Sequence, residues 1–185
     1  MKKSTTMKVL AFVLLSLVFS SALYAGEQVA QNPEDFTLQG VNRDVKFTLS
    51  EAKGKYVVLH FLLKTECPIC LTHTHTYTQR ADEVPDTIHL FIKPDDPEEI
   101  KKWFSKTTIT EEEKQPTIYH DPGAKLAKQF NIPFGYEFHG ETVHFPALII
   151  LNPEGKEVFR YLGKKTQDRF PFDQFREKMQ ELQKS

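Results

Sequence analysis

The sequence predicts an α/β fold: one central mixed sheet with helices on its faces. Three observations point there. The run Tyr56–Leu63 (YVVLHFLL) is almost continuously apolar, the pattern of a strand covered on both faces. Strand-like and helix-like segments alternate along the rest of the chain. A Cys67-Pro68-Ile69-Cys70 pair directly follows the most apolar strand, where a helix should begin.

In chain order, the first residues lie outside the fold. Lys2, Lys3 and Lys8 precede an apolar run from Val9 to Phe19, and the small residues Ser20, Ser21, Ala22 and Ala25 follow. Basic, apolar and small segments in that order make a secretory signal, with cleavage expected after Ala25 or, alternatively, Ala22. The apolar run is too short to span a bilayer comfortably; an uncleaved anchor is the competing reading. No cysteine lies near the cleavage site, which argues against a lipoprotein. The expected boundaries are 1–25 for the signal peptide and 26–185 for one domain. The mature chain is then exported, periplasmic or secreted, with no stable membrane insertion, where disulfides persist.

Phe36–Leu38 and Val45–Leu49 read as short strands around a polar turn, and Tyr56–Leu63 as the central strand. Thr87–Ile92 is another strand. Asp96, Pro97 and Glu99 supply an N-cap, a proline at N1 and an acid at N3 for a helix whose apolar stripe is Ile100, Trp103 and Phe104. Ser105 to Gln115 is Thr/Glu-rich and reads as a loop, and Thr117–Tyr119 as a short strand. Asp121-Pro122 opens a second capped helix that runs to about Phe130. Ala147–Leu151 and Lys156–Tyr161 flank the turn Asn152-Pro-Glu-Gly155 as a hairpin. Phe172, Phe175, Met179 and Leu182 keep helical spacing in a final helix.

Composition excludes several classes. In 185 residues, 39 % are hydrophobic and 26 % charged, which does not fit collagen-like, coiled-coil or wholly disordered chains. Lys+Arg is 24 and Asp+Glu 25, for a net charge of −1; the basic footprint of a nucleic-acid binder is missing. Two cysteines are too few for a disulfide scaffold. Three positions apart, they act as one local device.

A cysteine at a helix N-terminus feels unpaired N–H groups and the positive end of the helix dipole. Both favour the thiolate, which is the nucleophile. The spacing suits attack by Cys67 on a partner disulfide and resolution of the mixed disulfide by Cys70. A structural disulfide and half of a zinc site are the alternatives; the second pair of ligands that zinc normally needs is not evident.

With these residues in view, the chain resembles the thioredoxin superfamily, and most closely its exported thiol-disulfide oxidoreductase/redoxin branch, the TlpA/AhpC-TSA-like group. The matching pieces are Tyr56–Leu63, Cys67-Pro-Ile-Cys70, Tyr119-His-Asp-Pro-Gly-Ala-Lys-Leu-Ala-Lys-Gln-Phe130, Phe145-Pro146-Ala-Leu-Ile-Ile-Leu-Asn-Pro-Glu-Gly155 and the closing helix, across about residues 33–183. The resemblance implies a thioredoxin-like fold with the CxxC at the N-terminus of the first main helix. It further implies a cis peptide bond at Pro146, facing the cysteines and positioning the substrate backbone; an ordinary strand-start proline is the other reading. No organic cofactor is implied. The partners implied are protein thiols and disulfides together with an unidentified redox partner.

The departures from the family pattern are specific. Glu66 stands where thioredoxins commonly have tryptophan, and it reads as solvated rather than as a group acting on Cys67. The tail Gly163-Lys-Lys-Thr-Gln-Asp-Arg169 resembles that of peroxiredoxins, which raises a thiol peroxidase as an alternative. Their signature needs proline and threonine seven and three positions before the cysteine. Those positions hold Leu63 and Cys67 if counted from Cys70, and His60 and Lys64 if counted from Cys67.

The histidines raise a non-enzymatic alternative. His144 lies two before Pro146, and two thiolates with an imidazole suit Cu(I). SCO-type copper chaperones resemble this arrangement on the same fold, although their cysteines are separated by three residues. Cys67, Cys70 and His144 would be the ligands; otherwise His144 packs or hydrogen-bonds at a strand edge. Thr72-His-Thr-His-Thr-Tyr-Thr78 alternates like a strand, yet the resemblance places a helix there. On a helix His73 shares the face of Cys70 and could tune its proton affinity, and His75 points elsewhere. The expected site is Cys67, Cys70 and Pro146.

Overall fold

The structure is a computed structural model that describes residues 32–64, 66–107 and 115–184. The expected signal segment and most of the Thr/Glu-rich loop lie outside the described residues. Strand β3 (Tyr56–Phe61) is the axis, with Val57, Val58, Leu59, His60 and Phe61 all buried. It pairs parallel with β4 (Thr87–Lys93) and antiparallel with β8 (Ala147–Leu151). Outward from this centre lie β1 (Thr37–Gly40), β2 (Lys46–Thr48), β5 (Ile118–His120) and β9 (Glu157–Leu162), in the order β2-β1-β5-β4-β3-β8-β9.

Alternation along β3 feeds two cores. Val57, Leu59 and Phe61 join Ile92, Ile149 and Leu126 on one face. Val58 joins Phe91, Ile150, Tyr77, Ile100, Trp103 and Phe175 on the other. The second core is closed by three helices: α1 (Pro68–Gln79), α2 (Pro97–Phe104) and α4 (Phe172–Leu182). Their buried residues include Ile100, Trp103 and Phe104 on α2 and Phe172, Phe175 and Met179 on α4, with Leu182 half-buried at the end of its stripe. The α/β architecture with a central mixed sheet is therefore as expected.

Helix α1 overrides the strand-like alternation of its threonines. The hydroxyls of Thr72, Thr76 and Thr78 donate to the carbonyls of Pro68, Thr72 and Thr74, four residues back. This back-bonding satisfies the hydroxyls within the helix. Cys70, Thr74 and Tyr77 form its buried face.

Two elements differ from expectation. The segment after Asp121 is not one helix: a 3₁₀ turn over Pro122–Ala124 precedes α3 (Lys125–Gln129), and Gly123 and Ala124 sit at φ 65° and 52°. Asp121 is buried, and its two carboxylate oxygens accept from the amides of Leu126 and Ala127 at 2.9 and 3.1 Å. The cap thus serves the second segment, and the left-handed residues turn those amides back toward it. A hairpin of β6 (Phe134–Phe138) and β7 (Glu141–His144), unforeseen from the sequence, leads into Pro146. Its turn residues His139 and Gly140 both have positive φ, as a tight two-residue hairpin turn requires.

The bond before Pro146 is trans, since no cis peptide bond occurs among the described residues. This corrects the cis expectation. Trans is the resting preference of an X–Pro bond by about 0.5–1 kcal/mol. The position at the head of β8 asks only for a residue whose missing N–H is not needed, and the Pro146 carbonyl still accepts from the Gly163 amide at 2.8 Å.

Removing the Asp121 carboxylate leaves buried amides without a partner. Asp121→Ala is expected to lower stability by about 1–3 kcal/mol, read as a lower urea midpoint with unchanged slope.

Candidate functional site

Leu62 and Leu63 carry the chain, buried, from the end of β3 toward the cysteines. Lys93 anchors this exit. Its ammonium, buried and paired with Asp95 at 3.1 Å, donates to the Leu63 carbonyl and lies over the Trp103 ring. The Trp103 indole N–H donates to the Cys67 carbonyl at 3.2 Å. Glu66, exposed and at φ 54°, turns the backbone into α1 through a conformation costly for a non-glycine residue.

Cys67 is the N-cap of α1, and its sulfur accepts from the Cys70 amide at 3.1 Å. The two cysteines form a disulfide with Cα atoms 5.2 Å apart. They differ in access: Cys67 is 8 % exposed and Cys70 0 %. The helix starts where the sequence placed it, with Pro68 at N1.

Arg169 completes the site. Its Nη2 lies 3.1 Å from the Cys70 sulfur and 3.4 Å from that of Cys67. Its Nη1 donates to the carbonyls of Thr166 and Asp168. Burial lowers the Arg169 pKa to about 10, opposed by the nearby Asp168 charge, so the guanidinium stays charged at neutral pH. A cation here favours thiolate once the disulfide is reduced. The one sequence signal for Arg169 was the tail resembling peroxiredoxins, and that signal did not assign it a role.

Pro146 lines a small pocket with Phe61, His73, Asp168 and Arg169. The chain closes tightly behind it at Gly163, where a Cβ would meet Pro146 Cγ at 2.7 Å and only glycine fits. Cys67, Cys70 and Pro146 therefore converge on Arg169. The His144 ring packs edge-on against Phe61 and Phe134, and its Nδ1–H donates to the Phe145 carbonyl at 2.7 Å. Among the described residues no three or more His, Cys, Asp or Glu are arranged to hold a metal ion. The imidazole of His144, which the copper alternative would use with Cys67 and Cys70, is wedged between aromatic rings and bonded to the adjacent Phe145 carbonyl.

Behind α1 lies a chain of imidazoles. His60 Nδ1 is 3.0 Å from His73 Nε2, and His60 Nε2 is 3.0 Å from His89 Nδ1. His60 stacks on Phe91 and meets Tyr77 edge-on. Burial pushes His73 down to about 3 and His89 down to about 4, and it holds His60 well below the usual range, with the neighbouring rings adding to the effect on His60. All three are neutral at pH 7. The sequence signal for His60 and His89 was an ionisable residue inside each of two apolar strands, and His73 stood out for the helix face it shares with Cys70; the pairing of the three in space was not readable.

A family model described as AhpC/TSA matches residues 29–158. The chain belongs to the AhpC/TSA family. Solved structures agree at the level of fold. The exposed lipoprotein thioredoxin Etrx1 of Streptococcus pneumoniae strain TIGR4 is 24 % identical with a TM-score of 0.62, over 80 % of this chain and 99 % of that one. A cysteine-to-serine mutant of the peroxiredoxin 6 of Arenicola marina is 16 % identical with a TM-score of 0.71, over 83 % and 72 %. BsSco, of the Sco family of cytochrome c oxidase assembly proteins, is 17 % identical with a TM-score of 0.61, over 83 % and 94 %. No curated protein sequence matches the chain. This AhpC/TSA protein is thus a member of the thioredoxin superfamily's redoxin branch. Family membership and a CxxC closed as a disulfide make it a redox enzyme, in general terms a thiol-disulfide oxidoreductase.

The desolvated imidazoles of the histidine cluster give stability a pH dependence. Unfolded imidazoles titrate near about 6.5; in the folded chain those of His73 and His89 titrate at about 3 and about 4. Between these limits the unfolded chain binds more protons, so stability is full above the unfolded value and falls as pH drops from it toward the folded ones. The urea midpoint is expected to be lower at pH 5 than at pH 7, and His89→Phe to reduce that difference.

Proposed function

We propose that the protein exchanges disulfides with protein substrates outside the cytoplasm, with Cys67 as nucleophile and Cys70 as resolving thiol. The difference in access between the two sulfurs carries this assignment, because an incoming partner can reach only Cys67. In the reduced enzyme the Cys67 thiolate attacks a partner disulfide, a mixed disulfide forms, and one partner sulfur leaves. Cys70 then attacks the Cys67 sulfur, the second partner sulfur leaves, and two electrons have passed to the partner. The same steps in reverse oxidise a partner dithiol.

Arg169 holds negative charge on sulfur in both steps. Pro146, trans at the head of β8, is buried beneath the site and packs behind the Arg169 pocket. Ile69, between the cysteines, is 40 % exposed and gives a polypeptide partner an apolar contact. The expected signal segment supports an exported location, periplasmic or secreted, as does the likeness to a thioredoxin described as an exposed lipoprotein. The thiol-peroxidase alternative has the Arg169 contact in its favour; it requires rapid sulfenic acid formation with stoichiometric peroxide.

Trapping tests the roles. Cys70→Ser, reduced and mixed with a disulfide-bearing protein such as insulin, is expected to accumulate a mixed disulfide through Cys67, and Cys67→Ser to accumulate none. Equal trapping by both variants would overturn the assignment. The role of Arg169 has a separate readout. Arg169→Met is expected to raise the pKa of the Cys67 thiol by about one unit or more, seen as a shift to higher pH in the alkylation profile of the reduced protein.

A further inference from the structure

Disulfide exchange can run in either direction, and the surroundings of the two sulfurs favour one of them. Opening the Cys67–Cys70 bond puts negative charge on sulfur, so the groups nearby decide how readily it opens. Among the described residues two groups donate to the sulfurs. The Cys70 amide reaches Cys67 at 3.1 Å, and Arg169 Nη2 lies 3.1 Å from Cys70 and 3.4 Å from Cys67. A second cation, the buried Lys93, is tied to the same approach to α1 through the Leu63 carbonyl and the Trp103 ring. The neighbouring carboxylates are committed elsewhere. Asp95 pairs with Lys93, Asp168 accepts from the Tyr161 hydroxyl and the Lys164 amide, and Glu66 is exposed. His73, which lines the same pocket as Arg169, is neutral at pH 7. The charge presented to the sulfurs is therefore positive.

Arg169 is poorly served while the disulfide is closed. Its Nη1 donates to the Thr166 and Asp168 carbonyls, but its Nε is buried without a hydrogen-bond partner among the described residues. A sulfur in a disulfide is an uncharged and weak acceptor for Nη2. A thiolate in the same place supplies a charge-assisted bond. The folded site thus favours the reduced form. A disulfide that closes so short a loop constrains the unfolded chain little, so it offsets little of this preference.

We propose that the protein is a donor of disulfides: the Cys67–Cys70 bond oxidises reduced dithiols in exported polypeptides, with Arg169 receiving the sulfur of Cys70 as it leaves. The inference rests on the exchange reading above and assigns its direction. A client thiolate attacks the Cys67 sulfur, the more accessible of the two, and the Cys67–Cys70 bond breaks. Cys70 takes the electron pair and leaves as a thiolate against the guanidinium. The client's second thiolate then attacks the client sulfur held by Cys67. The client disulfide closes, and Cys67 leaves with its electron pair. The client has lost two electrons and the enzyme has gained two; one client proton goes to water and one stays with the reduced pair. A disulfide of higher potential then restores the Cys67–Cys70 bond. Arg169 is nearer to the leaving sulfur than to the attacked one, and a leaving thiol of lower pKa departs faster. A site specialised to reduce its clients has the opposite need, because a stabilised thiolate is the weaker nucleophile.

Two equilibrium measurements on the full chain test the direction. The first compares urea unfolding of the disulfide and dithiol forms at neutral pH. The dithiol form is expected to have the higher midpoint, the reverse of a structural disulfide; a higher midpoint for the disulfide form would overturn the proposal. The second equilibrates the protein with reduced and oxidised glutathione and counts free thiols by alkylation. Arg169→Met is expected to shift the equilibrium toward the protein disulfide by about tenfold or more, equivalent to about 30 mV or more. Arg169→Lys is expected to recover most of that shift. A change of less than about twofold in Arg169→Met also overturns the proposal, since the cation then does not set the potential. Should Arg169→Met fail to fold, the two wild-type midpoints still decide. The exchange reading fails separately. If the oxidised protein equilibrates with glutathione but takes no thiols from reduced, unfolded ribonuclease A, the polypeptide client is lost, and the midpoints alone judge whether the pair is oxidising.

Discussion

Strand β3 is sealed on both faces, and the geometry of the redox site descends from that burial. Its side chains alternate between two cores, so neither register nor direction can shift without moving a whole apolar set to the wrong face. The chain leaves β3 in a fixed direction and reaches Cys67 with its backbone held at two points, the Leu63 carbonyl by Lys93 and the Cys67 carbonyl by Trp103. A sulfur that caps a helix is useful only if the helix start is immobile. Here the immobility comes from apolar burial together with two buried donors.

The polar groups placed in this core carry a cost of their own. A buried ammonium needs an opposite charge and further hydrogen bonds to offset its lost hydration, and Lys93 has Asp95, the Leu63 carbonyl and the Trp103 face. Buried imidazoles avoid most of that cost by remaining neutral and bonding to one another. Arg169 is the exception, since its Nε is buried without a partner while Nη2 touches both sulfurs. A group left short of partners in one redox state has more to gain in the other. A guanidinium beside sulfur gains most when the sulfur is anionic.

Much of this was legible in the sequence. Tyr56–Phe61 was readable because both-face burial leaves an unbroken apolar run, and α2 and α4 because their stripes keep helical spacing. Cys67 and Cys70 declared themselves through position, directly after that strand and with a proline between them. Other features depended on contacts that no local pattern encodes. Helix α1 reads as a strand by alternation and becomes a helix through hydroxyl back-bonding. In residues 134–144 Phe134 is exposed while Tyr136 and Phe138 are half-buried, so the hairpin has no clean alternation of buried and exposed positions. The split after Asp121 follows from where a buried carboxylate finds its amides. His60, His73 and His89 are distant in sequence and meet only because β3, β4 and α1 share one core. The resemblance implied a cis bond at Pro146, and the fold keeps the proline at the head of β8 with the bond trans.

The borders of the sheet set how this enzyme meets other molecules. At one border β2 is three residues long and begins with Lys46. At the other, β9 carries the Glu157–Arg160 ion pair, and Arg160 also donates to the Phe130 carbonyl. Brevity and fixed charge are the devices by which open strands avoid templating another chain. Neither border invites another chain to extend the sheet; in the proposed exchange reaction a client is then held by one covalent sulfur bond and a few side-chain contacts at the helix tip. Cutting that bond dissolves the encounter. For the proposed exchange, turnover is then governed by bond exchange and not by the peeling apart of paired backbones.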